Sequence, residues 1–261
     1  MKPDVPISLW PDALEQLIQG SSITCIDRVR VMAETASTQD ACRAAAAGKP
    51  GLLVVADRQT GGRGRLGRVW THAGELGIAA TFALDETLSA PTLAMAGGLG
   101  ACAAVQQATR TPVGLRWPND VVERTDEGNG RKIGGVLVER GGGVALLGVG
   151  INVRQCEADF LPDIKGRAAS IVMLGGESTR LEVLFALVRS IDRALRMGVE
   201  GLAAAWRKQD CLIGLEREFE HDGRRVRGNV MDIDPLGRIV LETKRGLVSL
   251  PALTTSLVHE A

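Results

Sequence analysis

The sequence predicts an α/β fold followed by a small all-β unit. Three observations carry this. Up to Cys211, short apolar β-branched runs alternate with segments of helical periodicity. After Cys211, short alternating strands separated by turn residues take over. The 261 residues, 45% hydrophobic and 24% charged, suffice for a large core without disulfides or metals. The expected division is a domain of residues 1–211 and a C-terminal one of 212–261, closed as a barrel to remove exposed edges.

Residues 8–20 predict the first helix. Ser8 offers a cap, Pro11 sits in the first turn, and Leu14, Leu17 and Ile18 form a stripe. A short strand follows at 29–34. Ser37 and Thr38 offer hydroxyl caps to a helix at 39–48 that Gly48 ends. Residues 52–56 read as a buried strand, 60–68 as a glycine-arginine loop and 76–84 as another strand. Residues 91–110 are Ala-rich and helical, although Gly97, Gly98 and Gly100 argue against an unbroken helix. A strand at 114–122 is broken at Pro118, and 126–130 is a polar turn. Segments 132–140 and 144–153 flank Gly141-Gly142-Gly143 and give the strongest hairpin signal. Residues 178–197 form a long amphipathic helix with Leu181, Leu184, Phe185, Val188, Ile191 and Leu195 on one face. A further helix covers 201–209. In the tail, EREFEHD, RRVRGNVMDI, RIVLETK and GLVSL read as strands. Turns fall at His221-Asp222-Gly223 and Asp234-Pro235-Leu236-Gly237.

Lys+Arg and Asp+Glu both number 31, so the formal net charge is zero. This argues against a protein that coats nucleic acid or an anionic membrane, and leaves room for a local basic site. The five cysteines are widely spaced without CxxC, which reads as reduced thiols. His72, His221 and His259 are scattered, so no zinc site is expected. The N-terminus MKPDVPISLWPD has no apolar leader, and the longest apolar run, 93–105, is short and glycine-broken. A cytoplasmic protein with no membrane association is expected.

The chemistry concentrates in four stretches. Asp57 to Trp70 reads DRQTGGRGRLGRVW. Gly62, Gly64 and Gly67 match GxGxxG, but VWTHAGELG and a strand follow where a dinucleotide site needs a helix. What remains is Arg63, Arg65 and Arg68 among glycines: planar donors matched to phosphate and carboxylate oxygens, on backbone able to fold closely around a ligand. Three arginines in six residues repel one another, so the loop is expected to be mobile when empty and ordered around an anion. A solvated basic turn is the plain alternative. Arg116-Trp117-Pro118-Asn119-Asp120 comes second. Its Asp suits a magnesium ion or a hydrogen bond, against an ordinary Pro-Asn-Asp turn. Third, Lys132 opens KIGGVLVE, where Gly134 and Gly135 clear space for a point charge; a surface lysine at a strand start is the alternative. Fourth, Asn152 ends GVGINV and has the donor and acceptor that read an adenine edge, or merely form a turn.

Together, in this order, the four stretches resemble biotin–protein ligases. The match consists of ETASTQ at 34–39, GRGRLGR at 62–68 with Trp70, RWPND at 116–120, KIGGVLVE at 132–139 and GVGINV at 148–153. The all-β tail fits that family's SH3-like C-terminal domain. The resemblance implies an α/β (α+β) catalytic domain related to class II tRNA synthetases, a mixed sheet flanked by helices. It implies activation of biotin by ATP to biotinyl-5′-AMP and transfer to a lysine of a biotin carboxyl carrier protein. Arg63, Arg65 and Lys132 would be the catalytic cations, screening the carboxylate and α-phosphate as they react. Ser37, Thr38, Gln39, Gln59, Gly64 and Gly135 would join them around biotin. Arg68, Trp70, Asn119, Asp120 and Asn152 would hold the adenylate, with Asp120 as a magnesium ligand. Two departures stand out: Arg116 where the family has Lys, and Gln39 where it often has Asn.

Some family members also repress transcription through an N-terminal DNA-binding module. Only about 28 residues precede the first strand here, too few for its three helices, so no DNA partner is expected. A monomer or weak homodimer is expected. The alternatives are a lipoate or octanoate ligase and a non-catalytic biotin-binding module.

Overall fold

The computed structural model describes residues 2–71, 74–234 and 237–258. The apolar runs assemble first. β1 (Arg28–Thr35), β2 (Leu52–Gln59), β3 (Gly77–Leu84), β4 (Val113–Arg116), β5 (Asp120–Glu123), β6 (Lys132–Gly141) and β7 (Val144–Asn152) form one sheet in the order β1-β2-β3-β7-β6-β5-β4. Only β1 and β2 run parallel; every other neighbouring pair is antiparallel, giving the expected mixed sheet.

The two faces of this sheet have different fates. One carries α1 (Trp10–Gln19), α3 (Ala90–Ala108), α4 (Arg180–Leu195) and α5 (Val199–Gln209). On that face Ala145, Leu147, Val149 and Ile151 of β7 join the main core. Among the described residues the other carries only α2 (Thr38–Ala46), which packs Cys42 and Ala46 onto Leu52, Val54, Val144 and Leu146. Side chains alternate along a strand. Beyond Leu146, the α2 face of β7 therefore continues as Gly148, Gly150 and Asn152, past the helix, and this uncovered end is where a ligand can lie.

Two helix starts differ from expectation. α1 begins after Leu9 with no side-chain cap, and Ser8 lies in a 3-10 turn at Ile7–Leu9. Ser37 precedes α2 but makes no capping bond either. By contrast, α4 has a full capping box, Thr179 with Glu182, and Ser89 accepts from Thr92 N at the start of α3.

α3 is continuous across its three glycines. Each supports close packing. A Cβ at Gly97 would stand 2.6 Å from Leu147, at Gly98 2.5 Å from Trp206, and at Gly100 2.5 Å from Ile191. The intrinsic helix penalty is outweighed by contacts with the sheet, α5 and α4. The broken strand is a hairpin: β4 and β5 pair Arg116 with Asp120, and Trp117, Pro118 and Asn119 turn the corner.

The tail forms β8 (Glu216–His221), β9 (Arg224–Ile233), β10 (Ile239–Thr243), β11 (Gly246–Leu250) and β12 (Thr255–Leu257), all antiparallel in the order β11-β10-β9-β8-β12. The first four are the expected strands, and β12 is additional. Of the expected turn before β10, Pro235 and Leu236 lie outside the described residues, as do His72 and His259. Phe219, Val230, Ile239 and Leu241 belong to the same hydrophobic cluster as the helices. Trp117 joins the two sheets: its ring meets Phe219 edge-on at 5.9 Å and its Nε1 donates to Gly237 O at 2.8 Å.

Candidate active site

The uncovered end of the sheet is the floor of a cleft of about 1540 Å³. Single-ligand sites span roughly 300–1,000 Å³, so this one has room for two reactants. Every expected site residue lines it: Ser37, Thr38, Gln39, Gln59, Arg63, Gly64, Arg65, Arg68, Trp70, Asn119, Asp120, Lys132, Gly135 and Asn152.

At one end lies a buried polar chain. Thr81 Oγ1 donates to Thr38 Oγ1 (2.9 Å), and Thr38 donates to Gln59 Oε1 from both its N (2.9 Å) and its Oγ1 (3.0 Å). With Gln59 Oε1 engaged, its Nε2 is left as a free donor. Gln39 donates from Nε2 to Leu137 O at 3.2 Å, while its buried Oε1 has no partner. Gly148 lets Gln39 lie against the sheet, since a Cβ there would fall 2.7 Å from Nε2.

In the middle, Trp70 lies over Gly150, where a Cβ would fall 2.4 Å from the indole. Lys132 Nζ sits 5.4 Å from the Trp70 ring centroid, a cation–π contact, and 2.6 Å from Asp120 Oδ1. Burial alone would raise the Asp120 carboxyl; Lys132 and buried Arg116 (3.4 Å) outweigh it and hold it below its ordinary value. Asp120 is thus a fixed anion that orients the lysine. Its charge is met within the protein by two cations, Lys132 and Arg116. Among the described residues no group of three His, Cys, Asp or Glu could hold a metal ion.

The glycine-arginine loop folds back on itself. Gly64 N donates to Arg68 O (2.7 Å) and Trp70 N to Gly62 O (3.0 Å). Against the expectation of mutual repulsion, two arginines have partners within the protein. Arg63 forms a fork with Asp40 (2.6 and 2.9 Å) and also reaches Glu139 (3.1 Å), and Arg43 bridges the same two carboxylates. Arg63 holds the Asp40 carboxyl below its usual range. Arg65 is half-buried against the tail, donating to Ala252 O and to Thr255 O (3.0 Å), and approaches Asn119 Oδ1 at 3.4 Å. Asn119 is pinned in turn, its Nδ2 donating to Val136 O at 2.8 Å. The Arg68 side chain makes no hydrogen bond or ion pair among the described residues.

At the far end, Asn152 donates from Nδ2 to Ala169 O (3.1 Å) and accepts from Gln155 Nε2 (3.3 Å). No sequence pattern marks Gln155, which lies outside the motifs and meets Ser170 only through folding. Three buried side-chain polar atoms lack partners among the described residues: Gln39 Oε1, Trp70 Nε1 and Gln155 Oε1. All three residues line this cleft. Buried polar groups are normally satisfied, so this clustering marks the cleft as built for a polar ligand.

Residues 30–155, which span this floor and loop, match the family described as the Biotin/lipoate A/B protein ligase family. The chain is 32% identical over 228 residues to the biotin–[acetyl-CoA-carboxylase] ligase of Mycobacterium tuberculosis, covering 81% of this chain and 82% of that one. The chain belongs to the biotin/lipoate A/B protein ligase family. It is also 28% identical to the bifunctional ligase/repressor BirA of Bacillus subtilis, over 76% of this chain and 63% of that longer protein. Among solved members of this ligase family, the biotin protein ligase from Aquifex aeolicus in complex with biotin and ATP superposes with a TM-score of 0.78. That pair is 27% identical, over 90% of this chain and all of the other. No helix among the described residues is long and apolar enough to cross a membrane.

Proposed function

We propose that this chain is an ATP-dependent biotin–protein ligase. The observation that carries the choice of substrate is the polar pair at the Gln39 end. Gln59 offers a free donor and Gln39 a buried, unpartnered acceptor. A cyclic urea has a carbonyl and ring N–H groups that satisfy both. The dithiolane of lipoate and the chain of octanoate have no N–H and would leave Gln39 Oε1 orphaned, at about 1–3 kcal/mol.

In the first step a biotin carboxylate oxygen attacks the α-phosphorus of ATP. The O–P bond to pyrophosphate breaks, and biotinyl-5′-AMP remains. Both reactants are anions, so fixed cations carry the catalysis. Lys132, aimed by Asp120, lies beside Trp70 at mid-cleft, and Arg68 is free to meet phosphate. Arg63 and Arg65 have forks suited to carboxylate and phosphate oxygens and can exchange their present partners for the ligand. In the second step a carrier-protein lysine, as the free amine, attacks the acyl carbon. The C–N bond forms as AMP leaves. The loop at 62–70 closes over the mixed anhydride and limits hydrolysis. A biotin carboxyl carrier domain is the proposed acceptor. Residues 1–211 hold the reactants, and residues 212–261 anchor the loop through Arg65.

The test is ATP–pyrophosphate exchange with biotin, lipoate or octanoate supplied separately. Exchange with biotin alone is expected. Exchange with lipoate or octanoate instead would place the chain in the sister activity and overturn the role given to Gln39. No exchange with any acid would favour a binding module.

A further inference from the structure

Asn152 has the chemistry to read adenine, and its amide is anchored at both ends, with one N–H and one oxygen lone pair left over. Its orientation is set by Ala169 O, which can only accept, so Nδ2 faces Ala169 (3.1 Å). Oδ1 must then accept from Gln155 Nε2 (3.3 Å). That in turn fixes the polarity of Gln155: its Oε1 is the end of the relay. The Gln155 backbone is held by Ser170 Oγ, which donates to its carbonyl at 2.6 Å. Gln155 is 2% exposed, lines the cleft, and has no partner for Oε1. One backbone carbonyl thus dictates, through two amides, that this end of the cleft presents an acceptor.

Its distance from the other orphaned acceptor is informative. Gly148, against which Gln39 lies, and Asn152, which holds Gln155, are four residues apart on β7, or about 13 Å at ~3.3 Å per residue. Trp70 and Lys132 lie between. This suits a two-headed ligand with a donor group at each end and its anionic junction in the middle.

Resting on the ligase reading above, we propose that Gln155 is the residue that selects the purine. Its Oε1 accepts from the 6-amino group of adenine. A 6-oxo purine would place a carbonyl against this oxygen, two acceptors with no proton between them. Asn152 holds that acceptor in its orientation.

The experiment compares ATP with ITP in biotin-dependent pyrophosphate exchange, for the wild type and for Gln155→Met, which keeps length and removes the acceptor. The wild type is expected to favour ATP by about 10–100-fold in kcat/KM. In Gln155→Met the ratio falls toward one, through loss of ATP use and not gain of ITP use, while the KM for biotin stays unchanged. A wild type that uses ITP as well as ATP overturns the assignment without recourse to the variant. So does a folded Gln155→Met that keeps the wild-type ratio. If Gln155→Met fails to fold, the wild-type ratio is joined by purine riboside triphosphate, which lacks any 6-substituent. It should fall with ITP, and its use at the level of ATP overturns the assignment. A folded wild type that gives no exchange with biotin and any nucleotide overturns the ligase reading, and this assignment falls with it.

Discussion

At the residue scale, the site is organised by which side chains have partners and which lack them. Lys132 is held by Asp120 on one side and Trp70 on the other, so its charge is placed before any ligand arrives. Preorganised charge of this kind is typically worth roughly 10²–10³-fold in rate. Lys132→Met is expected to lower biotin-dependent exchange by that factor and, by leaving the Asp120 carboxylate with Arg116 alone, to lower the unfolding midpoint as well; exchange kinetics and urea unfolding of the purified variant measure the two. The identities of Lys132, Trp70 and the loop arginines were legible in the sequence because they sit in dense, unusual motifs. Their partners were not. Asp40 and Glu139 are separated from Arg63 by 23 and 76 residues, and only the fold brings them together. For the same reason the pairing of Asp120 with Lys132 shows only in space.

At the scale of elements, α3 shows what glycine propensity leaves out. Gly98→Ala would gain about 1 kcal/mol of intrinsic helix stability. The added Cβ would meet the buried Trp206 ring at 2.5 Å. Overpacking of about 1–3 kcal/mol wins, so a lower urea midpoint is expected, and a raised one would show that α5 can retreat. The β5–β6 turn makes a second prediction. Arg131 donates to both oxygens of Glu123 (2.7 and 2.8 Å) and, outweighing burial, holds that carboxyl below its usual value. A depressed folded value means the stabilisation is complete above the ordinary glutamate range and is lost as pH falls through the folded value. Glu123→Gln should therefore cost roughly 1–3 kcal/mol at pH 7. The gap from wild type should close in acid, as followed by urea unfolding across pH. Elements with long stripes and caps, such as α4, and the β6–β7 hairpin were plain in the sequence. β12 was not, because three residues are too short to display a period.

At the scale of the whole molecule, the two sheets share one hydrophobic cluster, and Trp117 connects them from within the RWPND turn. The tail also supplies the carbonyls that hold Arg65, one from the sheet at Thr255 and one from the turn before it at Ala252. Composition alone divides the chain near Cys211, since strand periodicity changes there; the continuity of the core across that point depends on packing that periodicity does not encode. A shared core unfolds together. Scanning calorimetry is expected to show one transition, and two resolved transitions would mean that the Trp117 joint contributes little.

The placement of the tryptophans has an optical consequence. The sequence has four and no tyrosine. Trp10, Trp117 and Trp206 are 1–2% exposed and packed in the interior, whereas Trp70 lines the cleft. Emission from this protein is thus a steady background from three shielded indoles plus one at the cleft wall. Adding biotin and ATP should change the intrinsic fluorescence, and Trp70→Phe should abolish that change while leaving the spectrum of the other three intact. The molecule reports its own occupancy without a dye.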